Sequence, residues 1–160
     1  MATELESEAT NHERWMREAL ILAEQAANAD EVPVGAIVVQ NGEIIGRGFN
    51  QPIRSCDATA HAEIVAIRSA SQFRNNYRLP STTLYVTIEP CTMCLGAMIH
   101  ARVDRLVFGA TEPRAGAVVS QGSLIEAGHF NHQLSFVDGV LAEECSSLMQ
   151  SFFRNRRKAN

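Results

Sequence analysis

The sequence predicts a three-layer α/β/α fold, in which a mixed β-sheet lies between helices on both faces. Two observations predict the sheet. Apolar strands flank Asn41-Gly42, a dipeptide suited to a tight hairpin turn, and therefore run antiparallel. Further along, a strand, a helix and another strand occupy residues 82–108, an order that normally joins parallel strands through a right-handed crossover. Amphipathic segments towards both ends supply helices that cover the sheet.

The amino-terminal elements are predicted from periodicity. Apolar residues recur at helical spacing from Glu13 to about Asn28, which predicts the first helix. Strands are predicted at 36–39 and 44–49, on either side of the hairpin turn. Residues 51–58 contain Pro, Ser and Asp and are expected to form a loop. Residues 1–11 are expected to be a mobile acidic segment.

The middle of the chain contains the crossover. A helix is predicted at 60–71, with Asp57 or Thr59 as its N-cap. Residues 82–88 alternate towards a buried strand. Pro90 then suits the first position of the next helix, where its missing N–H costs little.

The carboxyl-terminal part begins with a strand at 103–108. Residues 111–122 are loop-like, and the pattern stays weak through about residue 131. The last helix is predicted from about Leu141 to Arg157, with its apolar residues on one stripe and a basic end at 154–160.

Length and composition indicate a single domain that spans residues 1–160, since 160 residues with 46% hydrophobic content suffice for one sizeable core. The net charge of −4 is unevenly spread. Residues 1–31 hold eight acids against two arginines, a balance of −6, and the rest of the chain carries +2. Thirteen of the fourteen basic residues are Arg, whose guanidinium suits phosphate and stacked bases, although genome composition explains this equally well.

The sequence predicts a cytoplasmic protein. No apolar run approaches membrane-spanning length, and the N-terminus is acidic where a signal peptide would be basic and then apolar. Four cysteines, two of them in a metal-binding pattern, fit a reducing compartment better than a disulfide framework.

Two short segments predict a zinc site. Thr59-Ala60-His61-Ala62-Glu63 supplies an imidazole and a carboxylate, and Glu89-Pro90-Cys91-Thr92-Met93-Cys94 supplies two thiols. Three protein ligands, His61, Cys91 and Cys94, would leave a fourth position for water, as in catalytic zinc sites. Glu63 could then carry protons to and from that water. A His-x-Glu followed by Pro-Cys-x-x-Cys is the signature of zinc nucleobase deaminases.

Other interpretations of these residues stay open at this stage. Taken singly, Cys91 and Cys94 are small buried hydrophobes and His61 is a core histidine. A non-enzymatic zinc module is the second alternative, and it would need a fourth protein ligand such as Cys56 or Cys145.

The basic carboxyl-terminal end predicts contact with single-stranded RNA. Phe152-Phe153-Arg154-Asn155-Arg156-Arg157-Lys158 combines rings and guanidinium groups, on which splayed bases stack, with charge that follows phosphates. Basic residues at a helix C-terminus also complement the helix dipole, and this interpretation has equal weight.

Beyond the zinc pattern, the chain resembles the bacterial tRNA-specific adenosine deaminases (TadA type) of the cytidine-deaminase-like superfamily. The similarity runs from about Trp15 to Arg157 and rests on these segments: Glu31-Val32-Pro33-Val34-Gly35-Ala36, Asn50, Thr59 to Ile64, Asn76-Tyr77-Arg78-Leu79, Leu84-Tyr85-Val86-Thr87, Glu89-Pro90-Cys91, Gly96-Ala97-Met98-Ile99-His100 and Phe152-Phe153-Arg154. The resemblance implies a central sheet of about five strands, one Zn2+ per subunit and a homodimer.

The implied reaction is hydrolytic conversion of adenosine to inosine at the wobble position of a tRNA, chiefly an arginine tRNA. By resemblance, His61, Cys91 and Cys94 match the zinc ligands, and Glu63 matches the catalytic proton shuttle. The implied substrate-binding residues are Asn50, Ala62, Pro90, Glu112, Phe153 and Arg157.

One segment departs from the family pattern. Members often carry Arg-Asp-x-Lys-Thr-Gly where this chain has Thr111-Glu112-Pro113-Arg114-Ala115-Gly116. Where this chain has Glu112, family members often have an Asp that contacts a ribose hydroxyl. The longer side chain of Glu112 leaves that contact open, and Arg114 keeps only the charge of the Lys that it replaces. The alternative function is deamination of a free base or nucleoside of the guanine or cytosine type at the same metal site.

Overall fold

The computed structural model describes residues 2–128 and 130–160 and contains a five-stranded sheet between two layers of helices. The elements in chain order are α1 (Ala2–Asn28), β1 (Gly35–Gln40), β2 (Glu43–Phe49), α2 (Pro52–Ser55), α3 (Ala62–Arg74), β3 (Thr83–Ile88), α4 (Thr92–His100), β4 (Arg105–Ala110), β5 (Ser135–Val137) and α5 (Ala142–Ala159), with a 3-10 turn at Ile125–Ala127.

The sheet is mixed, as predicted, with the strand order β2-β1-β3-β4-β5. Strand β1 pairs antiparallel with both β2 and β3, whereas β3, β4 and β5 run parallel. Asn41 and Gly42 form the hairpin turn with φ of 52° and 73°, because two positive φ angles match the twist of the flanking strands. The parallel pair β3 and β4 confirms the predicted crossover through α4.

Each face of the sheet has its own apolar core. Helices α3 and α4 cover one face, where their side chains pack on Val38, Val86 and Phe108. Helices α1 and α5 cover the other face, where Met16 and Cys145 belong to the buried cluster. The three-layer α/β/α prediction is therefore confirmed.

Helix α3 lies directly on strand β2. A Cβ atom at Gly48 would collide with the α3 backbone at Ala62 and Ala66, and one at Gly46 would collide with the backbone at Ala66 and Ala70. Glycine is therefore required at both strand positions for this close approach. The approach fixes the beginning of α3, where His61 and Glu63 lie.

Helix α1 begins at Ala2, so the predicted start at Glu13 was wrong. Tertiary contacts hold its first turns. Glu8 forms a salt bridge of 2.6 Å with Arg105, and a hydrogen bond of 2.9 Å joins His12 Nδ1 to the Tyr85 hydroxyl. Such contacts override a weak hydrophobic pattern. The expected mobility of residues 1–11 stays a prediction.

Three helix starts also differ from prediction. Residues 52–55 form the short helix α2 rather than a loop, with Pro at its start. His61, not Asp57 or Thr59, is the N-cap of α3, because the Asp57 carboxylate accepts hydrogen bonds from the Thr59 N–H and hydroxyl instead. Helix α4 begins after Pro90, with Cys91 as its N-cap.

The two long helices are amphipathic. Helix α1 has 27 residues and α5 has 18, and both present charged side chains to solvent. Across residues 2–128 and 130–160, no helix combines the length and apolar character needed to cross a membrane.

Candidate metal centre and substrate groove

Two helix N-termini bring the three predicted metal ligands together. His61 caps α3, Cys91 caps α4, and Cys94 follows in the first turn of α4. The Nδ1 atom of His61 lies 3.6 Å from Cys91 Sγ and 3.5 Å from Cys94 Sγ. All three ligand atoms lie within 4.8 Å of one another. The cluster is enclosed, since Cys94 is buried and the other two ligands are partly buried.

These distances fit a tetrahedral zinc ion. With Zn–N near 2.0 Å and Zn–S near 2.3 Å, an N···S edge of the tetrahedron is about 3.5 Å. Both observed Nδ1···Sγ distances match this edge. One imidazole and two thiols are also ligand types that zinc prefers. The residues present therefore fit zinc as a three-ligand site.

The ionisation of the three ligand side chains is coupled through their mutual contacts. A hydrogen bond from Cys94, and then one from His61, lower the pKa of Cys91 to about 4. The same Cys91–Cys94 hydrogen bond, together with burial, raises the pKa of Cys94 far above its usual range. The Cys91 hydrogen bond also raises the pKa of His61. Zinc binding would require both thiols to be deprotonated, so metal affinity should depend on pH.

Glu63 is a buried carboxyl group beside this cluster. It lies in the first turn of α3, two residues after His61, and its side chain is only 4% exposed. Burial raises the pKa of Glu63. A carboxyl group that exchanges its proton more readily near neutral pH suits general acid–base catalysis.

Two of the predicted substrate-binding residues adjoin metal ligands in sequence, and a third follows strand β2. Ala62 and Pro90 are buried, and each directly neighbours a ligand. Asn50 follows β2, and its N–H donates a 3.0 Å hydrogen bond to the Val34 carbonyl. This bond fixes the backbone of Asn50 at the end of the strand.

The other three predicted substrate-binding residues line one groove. Glu112, Phe153 and Arg157 border a cavity of about 730 Å³, together with Val32, Arg114, Met149, Gln150 and Arg154. Phe153 is 39% exposed, so its ring is available for stacking. The three arginines give the groove a positive rim, although Glu112 contributes a carboxylate. The sequence-based prediction named three of these eight lining residues and did not name Met149 and Gln150 of α5.

Two buried acids were also missed. The Glu31 carboxylate accepts hydrogen bonds from the N–H groups of Ile53 and Arg54, and so caps α2. The Glu89 carboxylate accepts hydrogen bonds from residues 112–120. Both acids are at most 3% exposed. An acid inside an apolar stretch, as in Thr87-Ile88-Glu89-Pro90, is the sequence signal, because a buried carboxylate needs partners.

Comparison with known proteins places this site in a family. Residues 9–110 match the family model for the cytidine and deoxycytidylate deaminase zinc-binding region, and this span contains His61, Glu63, Cys91 and Cys94. The tRNA-specific adenosine deaminase of Haemophilus influenzae is 49% identical over 147 residues, which cover 91% of this chain and 85% of the relative. The chain belongs to the tRNA-specific adenosine deaminase family.

Solved structures agree with this assignment. A protein studied for A-to-I editing by tRNA:A34 deaminases at the wobble position of transfer RNA is 40% identical, with a TM-score of 0.82 over 84% of this chain and 98% of that chain. A guanine deaminase from Bacillus subtilis is 41% identical, with a TM-score of 0.60 over 62% and 64% of the two chains. The cytidine-deaminase-like fold is confirmed, and this family member is a zinc-binding deaminase.

Proposed function

We propose that this chain catalyses hydrolytic deamination of adenosine to inosine at the wobble position of tRNA. One observation carries the proposal. The loop that forms one wall of the arginine- and phenylalanine-lined groove is hydrogen-bonded to the segment that carries two of the metal ligands, through Glu89 and Pro90. The predicted deamination centre and the arginine-lined groove are thus linked through one segment. The named relatives and the solved tRNA:A34 deaminase support the same substrate.

The chemistry assigns a role to each residue of the centre. His61, Cys91 and Cys94 would hold zinc, which when bound activates water as a nucleophile near neutral pH by lowering its pKa to about 7. Glu63 would take a proton from the attacking water and deliver it to N1 of adenine. Glu63 would later protonate the departing amine, so that adenosine and water yield inosine and ammonia.

The target base must leave its stack to reach this centre, which favours a flexible anticodon loop over a duplex. We assign to Asn50 a hydrogen bond with the inserted base, and to Ala62 and Pro90 the walls of its pocket. Phe153 would stack on a neighbouring base and Arg157 would contact phosphate. Glu112, which borders the same groove, would contact a ribose hydroxyl.

We further infer a homodimer, which acts in the cytoplasm on an arginine tRNA. The family resemblance supports the tRNA assignment, and exposed apolar side chains support the dimer. Phe73 is 59% exposed and Tyr77 is 70% exposed at the end of α3, and Met93 is 37% exposed on α4. Gly96 on α4 has no other atom near its missing Cβ, so this helix surface is smooth and open.

The direct experiment offers zinc-replete protein total tRNA and, separately, free adenosine, guanine and cytosine. We expect inosine at the anticodon wobble position and no turnover of the free compounds. Turnover of guanine or cytosine without tRNA editing would contradict the proposal. That outcome would favour the alternative, a free-base or nucleoside deaminase, for which the 41% identity to a guanine deaminase is the supporting observation.

A further inference from the structure

We propose that Glu89 is a positioning residue whose carboxylate holds residues 112–120 as a preformed wall of the substrate groove. The identity of the substrate in this inference rests on the proposed function, whereas the hydrogen bonds of Glu89 do not depend on it. Glu89 follows strand β3 and precedes Pro90 and the ligand Cys91. It is 3% exposed and has no place in the chemistry described above.

Among residues 2–128 and 130–160, the Glu89 carboxylate accepts five hydrogen bonds, all from this one segment. Its Oε1 accepts from the Glu112 N–H at 3.0 Å and from the Ser120 hydroxyl at 2.5 Å. Its Oε2 accepts from the N–H groups of Val118, Val119 and Ser120 at 3.0, 2.8 and 3.0 Å. Both ends of the segment therefore converge on a single side chain.

The segment is closed around that carboxylate by further contacts. The Gly116 N–H donates to the Glu112 carbonyl at 2.8 Å, and the Ala117 N–H donates to the Pro90 carbonyl at 2.9 Å. A Cβ atom at Gly116 would collide with the carboxyl group of Glu89. The Glu89 carboxyl group therefore occupies the space that a side chain at position 116 would need, so only glycine fits there.

The five donors use both oxygens of the Glu89 carboxylate as acceptors. An amide at this position has one acceptor oxygen, and its NH2 group would face N–H donors. Glu89→Gln therefore preserves the size of the side chain and leaves some of these buried and part-buried donors without an acceptor.

The positions of the residues predict an effect on binding more than on chemistry. The carboxylate points to the loop, whereas His61, Glu63 and Cys94 are held by α3 and α4. Glu112 and Arg114 of the held segment line the groove together with Phe153. Release of the segment would displace this wall and leave the metal ligands in place.

The test compares zinc-replete wild-type protein with Glu89→Gln and, independently, Gly116→Ala. Amide hydrogen exchange at residues 118–120 should accelerate at least about tenfold in both variants, which corresponds to about 1.4 kcal/mol. With a short anticodon stem-loop RNA as substrate, KM should rise about tenfold or more while kcat changes less than about threefold. Zinc content should stay at one ion per chain.

Glu31→Gln is the matched control, because it also removes a buried carboxylate that accepts backbone N–H groups. It should accelerate exchange at residues 53–54 and leave 118–120 protected. Unchanged exchange at 118–120 in both test variants would overturn the proposal, as would loss of zinc or a fall in kcat at unchanged KM. Accelerated exchange at residues 118–120 in Glu31→Gln would show that the effect is not specific to loss of the Glu89 carboxylate, and would also overturn the proposal.

If the proposed function is wrong, the experiment gives a different result from the one that would overturn the role of Glu89. Wild-type protein would then leave the stem-loop RNA unedited, and hydrogen exchange would still decide whether Glu89 holds the segment. If Glu89→Gln does not fold, Gly116→Ala keeps the carboxylate and supplies the same two measurements.

Discussion

His61 Nδ1 lies 3.5 Å from Cys94 Sγ across the ends of two helices, at the edge length of a zinc tetrahedron. We therefore expect one zinc ion per purified chain. His61→Ala and Cys94→Ser should each weaken zinc affinity by more than about 100-fold, since outer-shell partners alone are worth about 10- to 100-fold. Metal analysis and competition with a chromophoric chelator measure this. Exposed Cys56 supplies the control, and Cys56→Ser should retain full zinc.

Removal of the Glu63 carboxyl group should abolish turnover without loss of metal. We expect Glu63→Ala to bind one zinc ion, to keep the wild-type fold and to lose about 10²- to 10⁴-fold in kcat, the range of a general acid–base group. Zinc analysis and single-turnover deamination of anticodon stem-loop RNA check this. Turnover at the wild-type rate by the zinc-replete variant would refute the proton-shuttle role.

The groove predicts separate effects of ring and charge. Phe153→Ala should weaken RNA binding by about 1–3 kcal/mol, the value of one base–aromatic stack. Arg157→Ala should weaken binding and lower the salt dependence of log Kd by about one phosphate contact. Titration of stem-loop RNA at several salt concentrations measures both. Arg47→Ala on strand β2, outside the groove, is the control, and an equal effect there would contradict the assignment.

The buried position of His12, beside Tyr85 and near Arg105, predicts that folding stability depends on pH. Burial, and then the charge of Arg105, lower the pKa of His12. The folded state thus disfavours protonated His12, and stability should fall as pH drops below the unfolded value of about 6.5, by at most about 1.4 kcal/mol per pH unit.

Urea unfolding at pH 7.5 and 5.5 tests this dependence, and His12→Gln should reduce it. The neighbouring Glu8 titrates at lower pH than His12. Arg105 lowers the pKa of Glu8, so the contribution of Glu8 to folding stability is lost only as pH falls below about 4.3. An equal pH dependence in His12→Gln would assign the effect to other groups.

The smooth outer surface of α4 predicts a dimer contact. A Cβ at Gly96 meets no atom within 4 Å, so Gly96→Arg fits a single subunit but would not fit a close interface. We expect a wild-type dimer and a monomeric Gly96→Arg variant by analytical ultracentrifugation. Ile21→Arg is the matched control, because Ile21 is 51% exposed on α1, on the other side of the sheet. A wild-type monomer would contradict the homodimer.

The metal cluster could be predicted because its residues form two pairs, and the members of each pair are close together in the sequence. His61 with Glu63, and Cys91 with Cys94, stand at short spacings that the chemistry of zinc demands, so residue types alone indicated their convergence. Both helix starts were nevertheless shifted by one or two residues, since capping depends on which side chains are free to bond.

Long-range contacts account for what sequence reasoning missed. Strand β5 has only three residues and exists through its pairing with β4, so its own pattern is too short to indicate a strand. The role of Glu89 depends on donors 23 to 31 residues away, which no local pattern specifies. The first turns of α1 are held by partners on β3 and β4.

The close approach of α3 to β2 has a consequence for how substrate range can evolve. At Gly46 and Gly48 the two backbones leave no volume for an added methyl group, so the side of the centre that carries His61 and Glu63 tolerates little redesign. Residues 113–115 are exposed and belong to a segment whose two ends donate hydrogen bonds to the Glu89 carboxylate. Selection for new nucleic-acid targets should therefore accumulate substitutions there first.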